Sequence, residues 1–299
     1  MQVDRASRSG SAFALGLFEG RGPASLGGVQ PVSMTSESVG ADRVLRFHKA
    51  CDKYRTSVKN NATLTQLGEG AAAMTAALAA VREGVTERLG LPEADAALLA
   101  NWLGVAWDAC KMESLVLQRV GVVGDGDGAP GGGICALFSA EEVEALEYAS
   151  DVESYWVKGH GLAINHDMAC LLVTEVLDAL RRGRSDDAAR VPREKRRLAD
   201  FRFAHAETVI PLVAALGLFR DAEPLMAGQP SPAQLPGATV ARRRAWRISA
   251  IAPMGANVAL TLHRCGGGGQ GQCGACDPVC GESTAPADST RVLDETHAF

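Results

Sequence analysis

The sequence lacks long apolar runs and an excess of positive charge, and each absence excludes a class of function. No stretch approaches the roughly 18 apolar residues that a membrane-spanning helix requires, and residues 1–10 include no apolar segment resembling a signal peptide. The 30 lysines and arginines are outnumbered by 35 aspartates and glutamates, which gives a formal net charge of -5. Without an overall basic field, the chain is predicted to have no nucleic-acid partner, and an anionic ligand would need a local site.

Eight cysteines and one sequon, Asn61-Ala62-Thr63, are the features of composition that bear on the compartment. Disulfides and N-linked glycans both form in the secretory pathway and are rare in the cytosol. We therefore expect a glycosylated Asn61 and a secretory protein, either in the endoplasmic reticulum lumen, outside the cell or associated with a membrane. The first residues carry no matching targeting signal, and no transmembrane segment is predicted in this chain.

The chain of 299 residues is 46% hydrophobic and is long enough for one large domain or two ordinary ones. Residues 43–182 are predicted to be almost wholly helical. Apolar residues recur at helical spacing in 71–89, in 94–120 and in 167–182. Ser139 with Glu142 forms a capping box that starts another helix. The glycine-rich stretch 121–133 is predicted to be a loop.

Beyond residue 198 the spacing of apolar residues changes from helical to alternating. Residues 201–203, 246–251 and 258–263 alternate as strands do, and residues 208–218 have helical spacing. A helical insertion would therefore separate two pieces of an α/β domain. The tail from residue 266 has few apolar residues and is predicted to be irregular.

The strongest local motif is the segment 201–208, a predicted strand whose polar end opens a helix. Ligands of open α/β sheets bind beyond the carboxyl ends of strands, and the free amides of a helix start attract anions. His205 can donate a hydrogen bond to a phosphate oxygen there, and Glu207 can hold a proton for a leaving oxygen. The alternative is a core histidine beside an ordinary acidic residue of a first helical turn, and the spacing alone does not choose between the two.

The segment 203–208, followed by Pro211-Leu212 and residues 217–221, resembles the His-Ala-Glu segment of the multiple inositol polyphosphate phosphatases, a branch of the histidine acid phosphatases. Most other members of that family have His-Asp at this place. Further matches occur in family order, at Arg46-Phe47, Asn60 to Thr63, Ala109-Cys110, Tyr155-Trp156, Lys158-Gly159 and Ile251 to Asn257.

The resemblance implies a histidine-phosphatase-like (phosphoglycerate-mutase-like) α/β domain, incomplete at its N-terminus, with a large helical insertion domain. Residues 1–40 would be the first piece of the α/β domain with a linker, and residues 41–185 the helical insertion. Residues 186–265 would be the second piece of the α/β domain, and residues 266–299 a tail rich in cysteine and glycine.

The resemblance also assigns roles to individual residues. Arg5, in a segment similar to the one that holds a phosphate-binding arginine in the family, would bind phosphoryl oxygens together with His205, because its planar fork suits them. Glu207 would protonate the leaving alcohol and then activate water. Lys158 and His160 are candidates for contacting outer phosphates, although a solvated helix end explains them equally well. No metal and no cofactor are implied.

The sequence departs from the family at the nucleophile, a histidine within Arg-His-Gly-x-Arg-x-Pro. Arg-His-Gly does not occur here, and none of the six histidines stands in such a context. We expect a phosphomonoesterase that acts on inositol polyphosphates such as phytate, and on 2,3-bisphosphoglycerate, through a phosphohistidine, with the nucleophile missing from this chain. This chain alone is then expected to be inactive. The alternative is a non-catalytic phosphate-binding or structural relative of the same fold.

The cysteines of the tail suggest a third hypothesis, a zinc-dependent interaction module. Cys273 and Cys276 have ligand spacing, but Cys280 shares a member of that pair instead of supplying a second one, so the zinc pattern is poor. Disulfides are the preferred interpretation. Besides the three cysteines just named, Cys51, Cys110, Cys135, Cys170 and Cys265 are candidates for disulfide bonds. Eight cysteines allow 105 pairings, and the sequence does not choose between them.

Overall fold

The computed structural model describes residues 4–23, 27–38, 40–66, 68–119, 133–184, 192, 197–227 and 244–262. The helices are α1 (Asp4–Leu17), α2 (Phe47–Ala50), α3 (Asp52–Tyr54), α4 (Ala62–Gln66), α5 (Glu69–Leu89), α6 (Glu93–Arg119), α7 (Ala140–Val157), α8 (Ala163–Asp167), α9 (Cys170–Arg184), α10 (Ala206–Ala215) and α11 (Ile248–Ile251). A π-helical turn spans Arg55–Lys59 and a 3-10 turn spans Ile134–Leu137.

The described residues fall into two compact units. The first unit takes those of Met1–Leu171 and Arg202–Asn257, and the second takes those of Leu172–Phe201 and Val258–Phe299. In the second unit Gly183 lies against the Leu262 side chain, since a Cβ on Gly183 would be 3.0 Å from Leu262 Cδ2. The domain boundaries expected from the sequence stay a prediction.

Helices α5, α6 and α7, together with residues 135–138, build an apolar core in the first unit. Its buried members are Val81, Val85, Leu103, Trp107, Cys110, Cys135, Phe138 and Leu146. Helices α5 and α7 approach closely at Gly70, where a Cβ would lie 2.5 Å from the Glu153 Cα. The apolar residues recur at helical spacing, so each helix presents one stripe to this core.

The start of α7 is the capping box that the sequence predicts. The Glu142 N–H donates to Ser139 Oγ at 3.3 Å, and the Ser139 N–H donates to Glu142 Oε2 at 2.8 Å. Two amides that have no partner within the helix are satisfied in this way. The same Glu142 carboxylate pairs with Arg88 of α5, which joins the two helices at that end.

Helix α7 also holds the segments on either side of residues 228–243. Tyr148 OH donates to Met226 O at 3.0 Å, and Trp156 Nε1 donates to Leu225 O at 2.8 Å. On the other side, Arg244 Nε donates to the buried Asp151 carboxylate at 2.7 Å. Arg247 Nη2 donates to Glu147 at 2.7 Å. Helix α7 therefore anchors two separate stretches of chain.

A disulfide joins Cys110 of α6 to Cys135 of the 3-10 turn, at a sequence separation of 25. The cysteines from Cys265 onward lie outside the described residues, as do residues 121–132 of the predicted glycine-rich loop. The zinc and disulfide interpretations of the tail therefore stay open. Within the described residues, no helix has the length and apolar character that crossing a membrane demands.

The three predicted strands are wrong for the described residues, where no strand is formed. Residues 201–205 and 256–262 lie outside regular structure, and Ile248–Ile251 is a helical turn instead. Alternation shows which face of a segment can be buried, but a strand also needs a neighbouring backbone to pair with. At α11 the Asp151 carboxylate accepts the Ile248 N–H at 2.8 Å, which satisfies a free amide of a helix start. The α/β class stays a prediction.

Candidate active site

His205 stands at the start of α10, as the sequence predicts. Its backbone is extended, with φ of -125° and ψ of 169°, and its carbonyl accepts the Thr208 and Val209 amides at 2.8 and 3.1 Å. The buried Thr208 hydroxyl donates to Leu45 O at 2.6 Å, so the helix start is tied to a chain segment 163 residues earlier. The imidazole therefore projects at a helix N-terminus whose position is fixed by a long-range contact.

Helix α1 brings Arg5 to the same place. A Cβ on Gly10 would lie 3.0 Å from Phe203 Cδ2, so the absence of a side chain lets α1 approach the segment that leads to His205. The Phe13 and Phe203 rings lie 5.5 Å apart. Burial lowers the pKa of His205, the Glu207 carboxylate opposes that effect, and the charge of Arg5 lowers the pKa further.

Glu207 lies beside Lys158, the residue that directly follows α7. Glu207 Oε1 is 3.7 Å from Lys158 Nζ, and the two side chains are 40% and 30% exposed. Burial alone would raise the pKa of Glu207, but the positive charge of Lys158 and a hydrogen bond from the Glu207 backbone N–H, with smaller contributions from His48 and His205, outweigh it and the pKa is lowered. Glu207 is therefore a carboxylate before an anion arrives. A phosphate placed next to it would raise its pKa and favour the protonated form.

Two further residues reach this site without having been assigned a role in it from the sequence. Among the described residues, Arg46 Nε and Nη1 are buried without a hydrogen-bond partner, and so is His48 Nδ1. His48 is only 4% exposed; burial lowers its pKa to about 4, against the opposing charge of Glu207. Arg46 also lowers the pKa of His205. Donors buried without acceptors are costly, so a bound anion would relieve Arg46. In the sequence, the match to the family at Arg46-Phe47 was the signal that could have pointed to these two residues.

Other predicted residues are engaged elsewhere. His160 Nε2 is 3.0 Å from Leu218 O, and its ring lies 5.1 Å from the Trp246 ring, so its surroundings are those of a packed structural histidine.

Asn61 Oδ1 accepts the Leu64 N–H at 3.3 Å at the start of α4, and Asn61 Nδ2 donates to Ser57 O at 3.2 Å. Glycosylation of Asn61 stays a prediction. In the part of the chain that is described, no group of three His, Cys, Asp or Glu side chains converges as metal ligands would.

Comparison with known proteins gives a consistent family. A sequence model of the histidine phosphatase superfamily (branch 2) matches residues 2–285. Three curated relatives carry the name multiple inositol polyphosphate phosphatase 1: the chain is 30% identical to the Gallus gallus protein over 266 residues, 25% identical to the Dictyostelium discoideum protein over 301, and 26% identical to the Homo sapiens protein over 268.

Each of these alignments covers 87% of this chain but 51%, 44% and 49% of the respective relative. The chain thus spans about half the length of the curated relatives it matches. No solved structure matches the chain significantly.

Proposed function

Because the chain belongs to branch 2 of the histidine phosphatase superfamily, we propose that it supplies the phosphate-binding and proton-transfer groups of a phosphatase acting on inositol polyphosphates. The family expected from the His-Ala-Glu segment is the family found. The observation that carries the proposal is the placement of His205 and Glu207 at the start of α10, with Lys158 Nζ 3.7 Å from Glu207 Oε1 and the charge of Arg5 lowering the pKa of His205. A phosphate there would meet a helix start, a guanidinium and an imidazole, which together favour a dianion.

In the proposed reaction, Arg5 and His205 hold the phosphoryl oxygens while a histidine nitrogen of the Arg-His-Gly signature attacks phosphorus in line. The P–O bond to the alcohol breaks, and the leaving oxygen takes the proton from Glu207. The phosphohistidine is then opened by water, whose proton passes to the Glu207 carboxylate as its oxygen bonds to phosphorus. Inorganic phosphate leaves and the histidine is regenerated. The pKa of Glu207 is lowered before an anion binds, and a phosphate beside it would raise that pKa, as this alternation requires.

The proposal extends to the substrates, the source of the nucleophile, the fold and the location of the protein. Phytate and 2,3-bisphosphoglycerate are the proposed substrates, and the nucleophile would come from a segment that is not in this sequence. That segment would also complete a histidine-phosphatase-like α/β domain, into which residues 41–185 insert as a helical domain. The location would be the secretory pathway, in keeping with the cysteines and the sequon.

The test is phosphate release from phytate by two purified proteins, this chain and a chain extended to include the Arg-His-Gly segment. The short chain should release phosphate at background, and the extended chain should turn over. In the extended chain, Glu207→Gln should lower kcat by about 10²- to 10⁴-fold, with a much smaller change in KM, because it removes the proton donor. Glu223→Gln, at an exposed position after α10, is the matched control.

Robust turnover by the short chain would refute the missing nucleophile. A loss confined to KM in the Glu207 variant would refute the proton-donor role. A non-catalytic phosphate-binding relative is the second candidate, because the binding residues are present while the nucleophilic signature is not. It would be favoured if the genomic sequence upstream of Met1 did not read in frame into an Arg-His-Gly signature.

A further inference from the structure

One side of α6 is apolar and exposed. Leu98, Trp102, Val105 and Met112 are 63%, 66%, 59% and 58% exposed, and Ala109 is exposed as well. These five residues follow one another at spacings of four, three, four and three positions. That spacing is the heptad repeat, which aligns side chains along a single side of a helix. We call these five residues the α6 seam.

A different side of α6 packs in the core of the first unit. Leu103 and Cys110 are 1% and 2% exposed and belong to that core. The disulfide from Cys110 to Cys135, and the hydrogen bond that the Cys135 N–H donates to Glu113 Oε2 at 2.9 Å, fix the helix from behind. The seam is therefore exposed on a firmly packed helix, and its exposure does not come from poor packing of α6.

The spacing of the seam indicates the shape of a partner. Proteins that act as monomers rarely leave a large contiguous apolar patch uncovered. A repeat of three and four positions is the pattern of a helix that packs along a second helix at a shallow angle, with the two axes about 8–10 Å apart. Residues 98–112 rise by about 21 Å, which is enough for such a pairing over four turns.

A second copy of α6, running antiparallel to the first, complements the seam in size. When Trp102 of one copy lies level with Val105 of the other, Leu98 lies level with Ala109. A large side chain then meets a smaller one at each of these levels. Because the pairing is symmetric, the same two contacts occur twice, and both copies use the same surface.

Charges near the ends of the seam favour the same direction. Asp95 is exposed and stands three positions before Leu98, and Lys111 is 45% exposed and precedes Met112. In the antiparallel pairing, Asp95 of one copy lies level with Lys111 and Met112 of the other. A parallel pairing would set Asp95 beside Asp95 and Lys111 beside Lys111, and like charges repel. The ion pair of Lys111 with Asp108, 2.7 Å long, is exposed and therefore weak.

We propose that the α6 seam is the interface of a homodimer, in which two copies of α6 pack antiparallel about a twofold axis between positions 103 and 104. The proposal goes beyond the phosphatase chemistry and does not depend on it, because no seam residue is among the residues of the candidate active site. It adds a second copy of this chain as a partner.

The test is analytical ultracentrifugation of the full chain between about 1 and about 100 µM. The chain should dimerise reversibly, and Trp102→Ala should raise the dissociation constant by about 10- to 100-fold, because it removes the largest side chain of the seam. The control Leu177→Ala removes an exposed leucine of α9 and should leave the dissociation constant within about twofold. Since Trp102 is mostly exposed, far-ultraviolet circular dichroism of its variant should match that of the wild type.

Cross-linking tests the direction and register of the pairing. Under oxidation, Leu98→Cys/Ala109→Cys should form covalent dimers in which position 98 of one copy is linked to position 109 of the other. Leu98→Cys alone should not link to itself, because the two positions 98 would be about 16 Å apart along the seam, beyond the reach of a disulfide. The proposal is overturned by a monomeric wild type, by an unchanged dissociation constant in Trp102→Ala, or by self-linking of Leu98→Cys.

The extended chain of the activity test distinguishes a second copy from the remainder of a longer protein as the occupant of the seam. It should dimerise over the same concentrations and show the same dependence on Trp102. An extended chain that stays monomeric would assign the seam to the added segment and overturn the proposal, whether or not that chain turns over phytate.

Discussion

Glu207 interacts electrostatically with residues from several parts of the chain: His205 at the start of its own helix α10, Lys158 just after α7, His48 of α2 and Lys59 of the π-helical turn. The sequence predicted the local part of this arrangement, because a histidine and an acid flanking a helix start are visible within four residues. It did not predict that His48 and Lys59 interact with Glu207. Their proximity depends on contacts such as Thr208 to Leu45, which no local pattern encodes.

His48 gives a prediction at the residue scale. Its pKa falls from 6.5 to about 4 on folding, chiefly through burial, with Glu207 opposing and Lys59, Lys49 and Arg46 assisting. Between these values the unfolded chain binds a proton that the folded chain does not, so the free energy of unfolding should fall as the pH drops from about 6.5 to about 4.

The measurement is urea unfolding of the wild type and of His48→Phe at about pH 7 and at about pH 4.5, on either side of most of the expected titration. The variant should lose less stability between the two conditions than the wild type. Parallel losses in the two proteins would show that His48 titrates normally in the folded chain.

At the scale of elements, the sequence predicted helices well and strands badly. The capping box of α7 and the start of α10 are properties of a few adjacent residues, so Ser139, Glu142 and Glu207 could be interpreted directly. Residues 246–251 have the alternation of a strand, but Asp151 and Glu147 of α7 bind this stretch and a helical turn forms. Alternating apolar residues fit any segment in which burial alternates from one residue to the next. The segment becomes a strand only where a neighbouring backbone pairs with it.

The link between α6 and the 3-10 turn supplies a prediction about compartment. Cys110 and Cys135 are 2% and 0% exposed and are joined in the structure. Peptide mapping of protein isolated from its source, alkylated without prior reduction, should recover these two cysteines in one linked peptide pair and glycan on Asn61. Recovery of all eight cysteines as alkylated thiols would instead indicate a reducing compartment and contradict the secretory proposal.

At the scale of the whole molecule, burial differs between helix α10 and residues 256–262. Helix α10 is well buried: Ile210, Val213 and Ala214 are at most 5% exposed. It is therefore not the exposed, poorly packed element that an incomplete sheet would leave. Residues 256–262 differ, because they lie outside regular structure, and Leu260 and Leu262 are 48% and 47% exposed.

Hydrogen exchange followed by mass spectrometry should reflect that contrast. In this chain, peptides covering α7 and α10 should be strongly protected and those covering 257–262 should exchange quickly. In the extended chain used for the activity test, residues 257–262 should become protected if the added segment supplies a neighbouring strand. Rapid exchange of 257–262 in an extended chain that turns over phytate would refute the α/β completion while leaving the chemistry intact.

The anchoring role of α7 has an evolutionary consequence. Its 18 residues carry Glu147 and Asp151, which hold the stretch after residue 243, and Tyr148 and Trp156, which hold the stretch before residue 228, and Lys158 follows directly. Losing one residue from its interior would rotate the later side chains by about 100° and misplace several anchors together. Lengthening the connection between 227 and 244 adds only a slowly growing closure entropy. Across descendants of this sequence, insertions and deletions should therefore accumulate between 227 and 244 and be purged from α7.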